Sequence, residues 1–213
     1  MTAKTYLTIT FALLFLFMFT PGVNAQTKLP GPPQEGDERM VTPLINAGIP
    51  LNENSLIEAL KHQDTSVAAR AAAALGRFPK TTSIVNALKA AIAEDRDIVS
   101  LNAGYSMLHL NQKAWVTSIG ITRLHAMHNP LLQIQFAGVL ARGGSGAGWS
   151  VITSRITDVM YTPLVLENID SFDGKTDQDG HQIKVIEELE KYSREAPEES
   201  RKLIVQKLSQ LKA

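Results

Sequence analysis

Leu56-Ile57-Glu58-Ala59-Leu60-Lys61 is answered 28 residues later by Ile84-Val85-Asn86-Ala87-Leu88-Lys89, an aliphatic pair opening each block and Ala, Leu and Lys closing it. Behind the first block come Val67, Ala71 and Leu75. They return 32 residues later as Val99, Ala103 and Met107, and a further 33 later as Leu132, Phe136 and Leu140. Spacing of i, i+4, i+8 places each trio on one face of a helix. No alternating pattern of useful length competes with it. The spacing therefore predicts paired helices, an outer one and an inner one, repeated along the chain.

Boundary residues point the same way. Ser55 and Glu58 read as a Ser-x-x-Glu capping box, and Asp64-Thr65 caps the next helix, with Pro79 beyond its end. Thr81 or Thr82 caps the third helix, and Asp95 and Asp97 precede the fourth. Asn129-Pro130 is a cap followed by proline at the first helical position, and Gly143-Gly144 closes that helix. The run Ala71-Ala72-Ala73-Ala74 gives the first inner helix little side-chain thickness, so neighbours can approach closely.

With Asp64, Val67, Arg70-Ala71-Ala72 and Ala74-Leu75-Gly76 added to the first block, residues 54–79 resemble a bacterial HEAT-like repeat of the PBS-lyase type. A second unit, about 81–111, carries extra residues at Ala90–Glu94 and has Met107-Leu108 where the repeat has Leu-Gly. A third, about 112–142, keeps the inner helix beside an unusual outer one with Trp115, Ile119, Ile121 and Leu124. The resemblance implies a short right-handed α-solenoid of about four helix pairs, all-α. It implies a binding surface and no particular chemistry.

The flanks differ. Residues 1–25 hold Lys4, an apolar stretch from Leu7 to Phe19, a Pro21-Gly22 break and the small residues Val23 and Ala25, the three parts of an export signal. A membrane anchor is the rival. Thirteen apolar residues rise only about 20 Å as a helix, against roughly 30 Å of hydrocarbon. Cleavage after Ala25 would send the chain to a bacterial periplasm or the exterior. Residues 26–43, with Pro30-Gly31-Pro32-Pro33, read as a flexible tether; a Pro-rich ligand is the alternative. Repeats occupy 44–142, and 143–213 reads as an irregular helical unit and cap. In that part the glycine cluster 143–148 reads as a flexible break. Trp149–Tyr161, Pro163–Asn168, a stretch bearing Ile183, Ile186, Leu189 and Tyr192, and a last stretch after Pro197 read as helices.

Composition removes several functions. The chain of 213 residues balances 21 Lys+Arg against 21 Asp+Glu and has no cysteine. A neutral chain lacks the cation excess on which nucleic-acid surfaces and polybasic membrane anchors rely. Disulfides, thiolate metal sites and cysteine nucleophiles are excluded, and an exported chain without Cys avoids mispairing.

Candidate chemistry is thin. The glycines at 143–148 lack the Lys of a phosphate loop, and Ser145 lacks a nucleophile elbow. His125 and His128, three apart, share a helix face but have no acidic residue between His109 and Asp158 to complete a metal site. In Asp173-Gly174-Lys175-Thr176-Asp177-Gln178-Asp179-Gly180, placing Gly180 at the turn of a calcium loop puts Asp177 and Asp179 at ligand positions. Lys175 and Ile186 then occupy the first and twelfth ligand positions, which neither can fill. No catalytic set assembles and no cofactor is implied. The polar positions between core residues of the inner helices are Arg70, Arg77, Asn102, Tyr105, Gln133, Gln135 and Arg142. On a stacked-helix array such positions form a face for another protein or peptide. The expectation is an exported protein-binding or scaffold module, with calcium or metal binding at Asp173–Gly180 or His125/His128 as the alternative.

Overall fold

The computed structural model describes residues 38–213, so the expected export signal and most of the tether lie outside the described residues. Eleven α-helices make up the described chain: α1 (Glu38–Asn46), α2 (Glu53–Ala59), α3 (Thr65–Leu75), α4 (Thr82–Ala93), α5 (Asp97–His109), α6 (Lys113–Ala126), α7 (Pro130–Arg142), α8 (Trp149–Thr153), α9 (Thr162–Asn168), α10 (Val185–Glu195) and α11 (Glu198–Lys212). A 3₁₀ turn, Ile169–Phe172, follows α9. The fold is all-α; among the described residues β-structure is limited to one bridge, Thr176 to Gln182. None of the described helices is long and apolar enough to cross a membrane.

Helices α3, α5 and α7 lie in one row, and α1 packs on α3. A second row, α4 and α6, packs on α5 and α7. The repeated trios fill the seam between rows: Val67, Ala71, Leu75, Val99, Ala103, Met107, Phe136 and Leu140 are all buried, and Leu132 is half-buried at the margin. Helix α3 meets α5 most extensively, as the alanine run predicts. Ser106 Oγ reaches across to donate to Ala72 O at 2.8 Å. Beyond α7, helix α9 and the 3₁₀ turn cover its far side, and the α10–α11 hairpin closes the end. A buried bond from Thr162 Oγ1 to Ser200 Oγ, 2.9 Å, fastens α9 to α11.

Caps at Asp64, Thr81 and Asn129 form as expected, each side chain accepting from a backbone N–H of the first helical turn. Four local readings change. Helix α2 begins at Glu53, so Ser55 is inside it and Asn52 is the cap, accepting from Ser55 N at 3.0 Å. Asn caps as well as Ser, and the earlier start brings Glu53 to Thr81 Oγ1 at 2.7 Å. Residues 38–43 are helical rather than part of a tether. Pro43 removes one helical bond, but Val41 and Leu44 are buried, and their burial offsets it.

The stretch 149–161 stays helical only to Thr153. The β-branched Val151, Ile152 and Thr153 weaken it, and Asp158 takes up a turn by accepting from Met160 N. Finally, the glycine cluster is a packed joint and not a flexible break. Gly144, at φ 106°, closes α7 with Ser145 N bonded to Leu140 O. A side chain on Gly146 would stand 2.2 Å from Thr176 O, so only glycine lets the two backbones meet.

Candidate functional site

One line of partly exposed residues runs along α3 and just past its end, Arg70, Ala73 and Arg77, and a matching line runs along α5, Asn102, Tyr105 and His109. These are equivalent positions of successive inner helices, 32 residues apart. Arg70, Arg77, Asn102 and Tyr105 were in the expected set; Ala73 and His109 were not. At α7 the line narrows. Positions 134–141 are buried, leaving Arg142 at the far end. Gln135 is 8% exposed with Oε1 lacking a hydrogen-bond partner. Gln133 is not on the open line: its Nε2 donates to Leu124 O at 3.0 Å and ties the end of α6 to α7.

Tyr105 and Arg142 meet. Arg142 Nη1 donates to Tyr105 Oη at 3.2 Å, with the guanidinium 5.7 Å from the ring centroid. Its Nη2 donates to Asn168 Oδ1 at 3.2 Å, and Asn168 is anchored by its own Nδ2 to Leu164 O. This contact exists because position 138 has no side chain: a Cβ there would lie 2.2 Å from Asn168 Oδ1. Gly138→Ala is expected to expel Asn168, release Arg142 and cost about 1–3 kcal/mol by overpacking, read as a lower urea midpoint.

Glu167 completes the cluster and was missed in the sequence, where nothing local marks it. Burial raises its carboxyl pKa, and Arg142 opposes the rise only in part. Its Oε2 has no hydrogen-bond partner. Burial also raises the Tyr105 hydroxyl, against the lowering effect of Arg142. Arg70 and Arg77 are pulled down by burial yet stay charged. For Glu167 the folded state binds the proton more tightly than the unfolded one. Its contribution is therefore most favourable below the ordinary carboxylate range and falls as pH rises through the raised pKa. Glu167→Gln is expected to flatten that part of the stability-against-pH curve; an unchanged slope between acid and neutral pH would refute the assignment.

The acidic loop is an ordered hairpin-like turn. Asp177 Oδ1 accepts from Asp179 N and His181 N at 2.9 and 2.8 Å. Asp177, Asp179 and His181 bring ligand atoms within 4.8 Å of one another, the one such group of three among the described residues. Asp173 stands apart, with Oδ1 accepting from Val185 N at 3.1 Å to cap α10. His181 was not in the expected set, because a bridge between Thr176 and Gln182, not sequence spacing, turns it toward the aspartates. His125 and His128 do not converge with a third ligand: His125 Nε2 lies 3.2 Å from Gln178 Nε2, and His128 contributes its backbone N–H to Asp97 Oδ2. Beside the loop is an open cleft of about 420 Å³ lined by Trp149, Asp177, His181, Ile183, Glu187 and Glu188 among others.

No known family model matches the chain, and no curated protein or solved structure is similar to it.

Proposed function

We propose that this chain is an exported protein-binding or scaffold module without catalytic activity, built as a short right-handed α-solenoid of about four HEAT-like pairs. The observation that carries the reading is the open line of equivalent positions, Arg70–Ala73–Arg77 and Asn102–Tyr105–His109, ending on the Tyr105–Arg142 pair. Arg and Tyr are residue types that concentrate interface energy, and the row sets exposed side chains of different kinds at equivalent positions, Arg70 with Asn102 and Arg77 with His109, at an interval suited to an extended peptide. The test is a photo-crosslinking residue placed at Ala73 or His109. It should label one specific protein in envelope fractions. The same group at Lys61 or Lys202, exposed but off the line, should not. Equal labelling at all four positions removes the proposal. Export itself is checked by mass spectrometry of the secreted chain, which should begin at Gln26.

A second reading, cation binding at the loop, rests on the convergence of Asp177, Asp179 and His181. Calorimetric titration with calcium and with zinc, against Asp177→Ala, decides it. A heat signal lost in the variant supports the site, and no signal with either metal removes it.

A further inference from the structure

The net charge of zero conceals a separation. Residues 65–157 hold nine Lys/Arg and three carboxylates, whereas residues 158–213 hold eight Lys/Arg and twelve carboxylates. Two of those cations, Lys89 and Lys113, stand on the outer side of α4 and α6, whereas Arg96 and Arg123 are paired with Glu94 and Asp97, and Arg70, Arg77 and Arg142 belong to the inner row. Helices α4 and α6 contain no Asp or Glu. Their outward side carries Lys113, Ala114, Ser118 and Thr122 around exposed Trp115 and Ile121, 46% and 36% exposed. Lys89 lies 3.2 Å over the Trp115 ring, which holds its charge at that spot. Trp is among the aromatic residues enriched at interface centres, and the lack of carboxylates around it matches the depletion of acidic groups there.

That positive, apolar face runs directly into the negative one. His125, at the C-terminal end of the exposed side of α6, contacts Gln178, and Gln178 Nε2 also donates to Ala147 O at 3.0 Å. The acidic loop is therefore seated against the end of α6. From there the surface continues through Asp177 and Asp179 to the cleft walled by Glu187 and Glu188. Residues 173–190 hold six carboxylates against Lys175 and Lys184; Glu187 is paired with Lys184 and Glu190 with Lys212, and the stretch stays net negative.

We infer that this face is a self-complementary homodimer interface, in which a second copy packs across a two-fold axis near His125 and Gln178. Such a rotation exchanges the two halves. The Lys89–Lys113–Trp115 half of each copy meets the Asp177–Glu187–Glu188 half of the other, so every contact is made twice. Charge complementarity selects this occupant: the acidic surface that would satisfy the cationic half is present on the same chain, beside it. Opposite charges across the axis steer and register the pair. The inference does not depend on the open line of the inner helices.

Sedimentation velocity on the purified protein tests it. At low salt the protein should sediment as a dimer. The dimer should weaken in about 0.5 M NaCl, where the Debye length falls to a few ångströms. Two double variants give the decisive comparison: Lys89→Glu with Lys113→Glu, and Glu187→Lys with Glu188→Lys. Each alone should raise the dissociation constant by about tenfold or more while keeping the wild-type melting curve. Mixed together they should pair again, because each then presents to the other the charge it lacks. A wild-type monomer at every concentration and salt, or a dimer indifferent to both variants, overturns the proposal. Failure of the mixture to restore the dimer overturns it too.

Discussion

Asp97→Ala is expected to destabilise the protein by about 3–5 kcal/mol, the cost of leaving one member of a buried ion pair alone. One carboxylate oxygen of Asp97 is bonded to the Arg123 guanidinium, whose side chain is 3% exposed. The other accepts from His128 N at 3.0 Å and Asn129 N at 2.9 Å, holding the turn between α6 and α7. Without the carboxylate, Arg123 keeps only Ser100 Oγ at 3.0 Å and Asp95 O at 2.8 Å, and its Nη1 is unpartnered already. A buried cation with two neutral acceptors is poorly compensated. Urea unfolding measures the effect. Asp97→Ala combined with Arg123→Met should recover part of the loss, since no orphan charge remains. A single-variant loss under about 1 kcal/mol, the range of an exposed pair, would contradict the geometry.

Phe136→Ala should be of similar size, about 3–5 kcal/mol, through the cavity it opens. The ring is fully buried, at the junction of three helices. It occupies space that bare backbone provides on two sides: a Cβ added at Gly104 or at Gly120 would come within 3.2 Å of it. Val139 Cγ1 and Leu140 Cδ2 approach the same two glycine positions, so the ring sits in a crowded, fully buried core whose close packing makes its removal leave a void. Phe136→Leu leaves a smaller void and should cost well under half as much. Equal losses for the two substitutions would mean that the site collapses freely and the packing described is wrong. Both variants are compared by thermal and urea melts.

These two residues also separate what was legible from what was not. Phe136 stands in the third repeated trio, so its burial follows from i, i+4, i+8 spacing alone. Asp97 reads in the sequence as a residue at a helix start, where carboxylates are common. Nothing near it announces that its partner is 26 residues away. The open line of inner-helix positions was legible for the same reason as the core, since a helix that buries one side at a fixed period exposes the other at that period. Gln133 is off that line by the period itself, since its equivalents Ala68 and Ser100 are buried; Gln135 is on it but buried where Asn168 of α9 comes in over Gly138. The acidic loop was noticed for its aspartates. Which of them converge was decided by a turn that draws in His181 and sends Asp173 to cap α10.

By itself the sequence determined the paired helices between residues 65 and 142, the caps at Asp64, Thr81 and Asn129, the apolar trios and the all-α class. Each is set by residues within three to eleven positions of one another, where backbone geometry fixes the distances. Only the tertiary structure decided the Asp97–Arg123 pair, the Tyr105–Arg142–Asn168 contact, the packed joint at Gly146 and the seating of the acidic loop against α6. Those depend on how helices cross and stack. A shift of about an ångström, or one residue of slip, replaces one partner with another while leaving every local pattern unchanged.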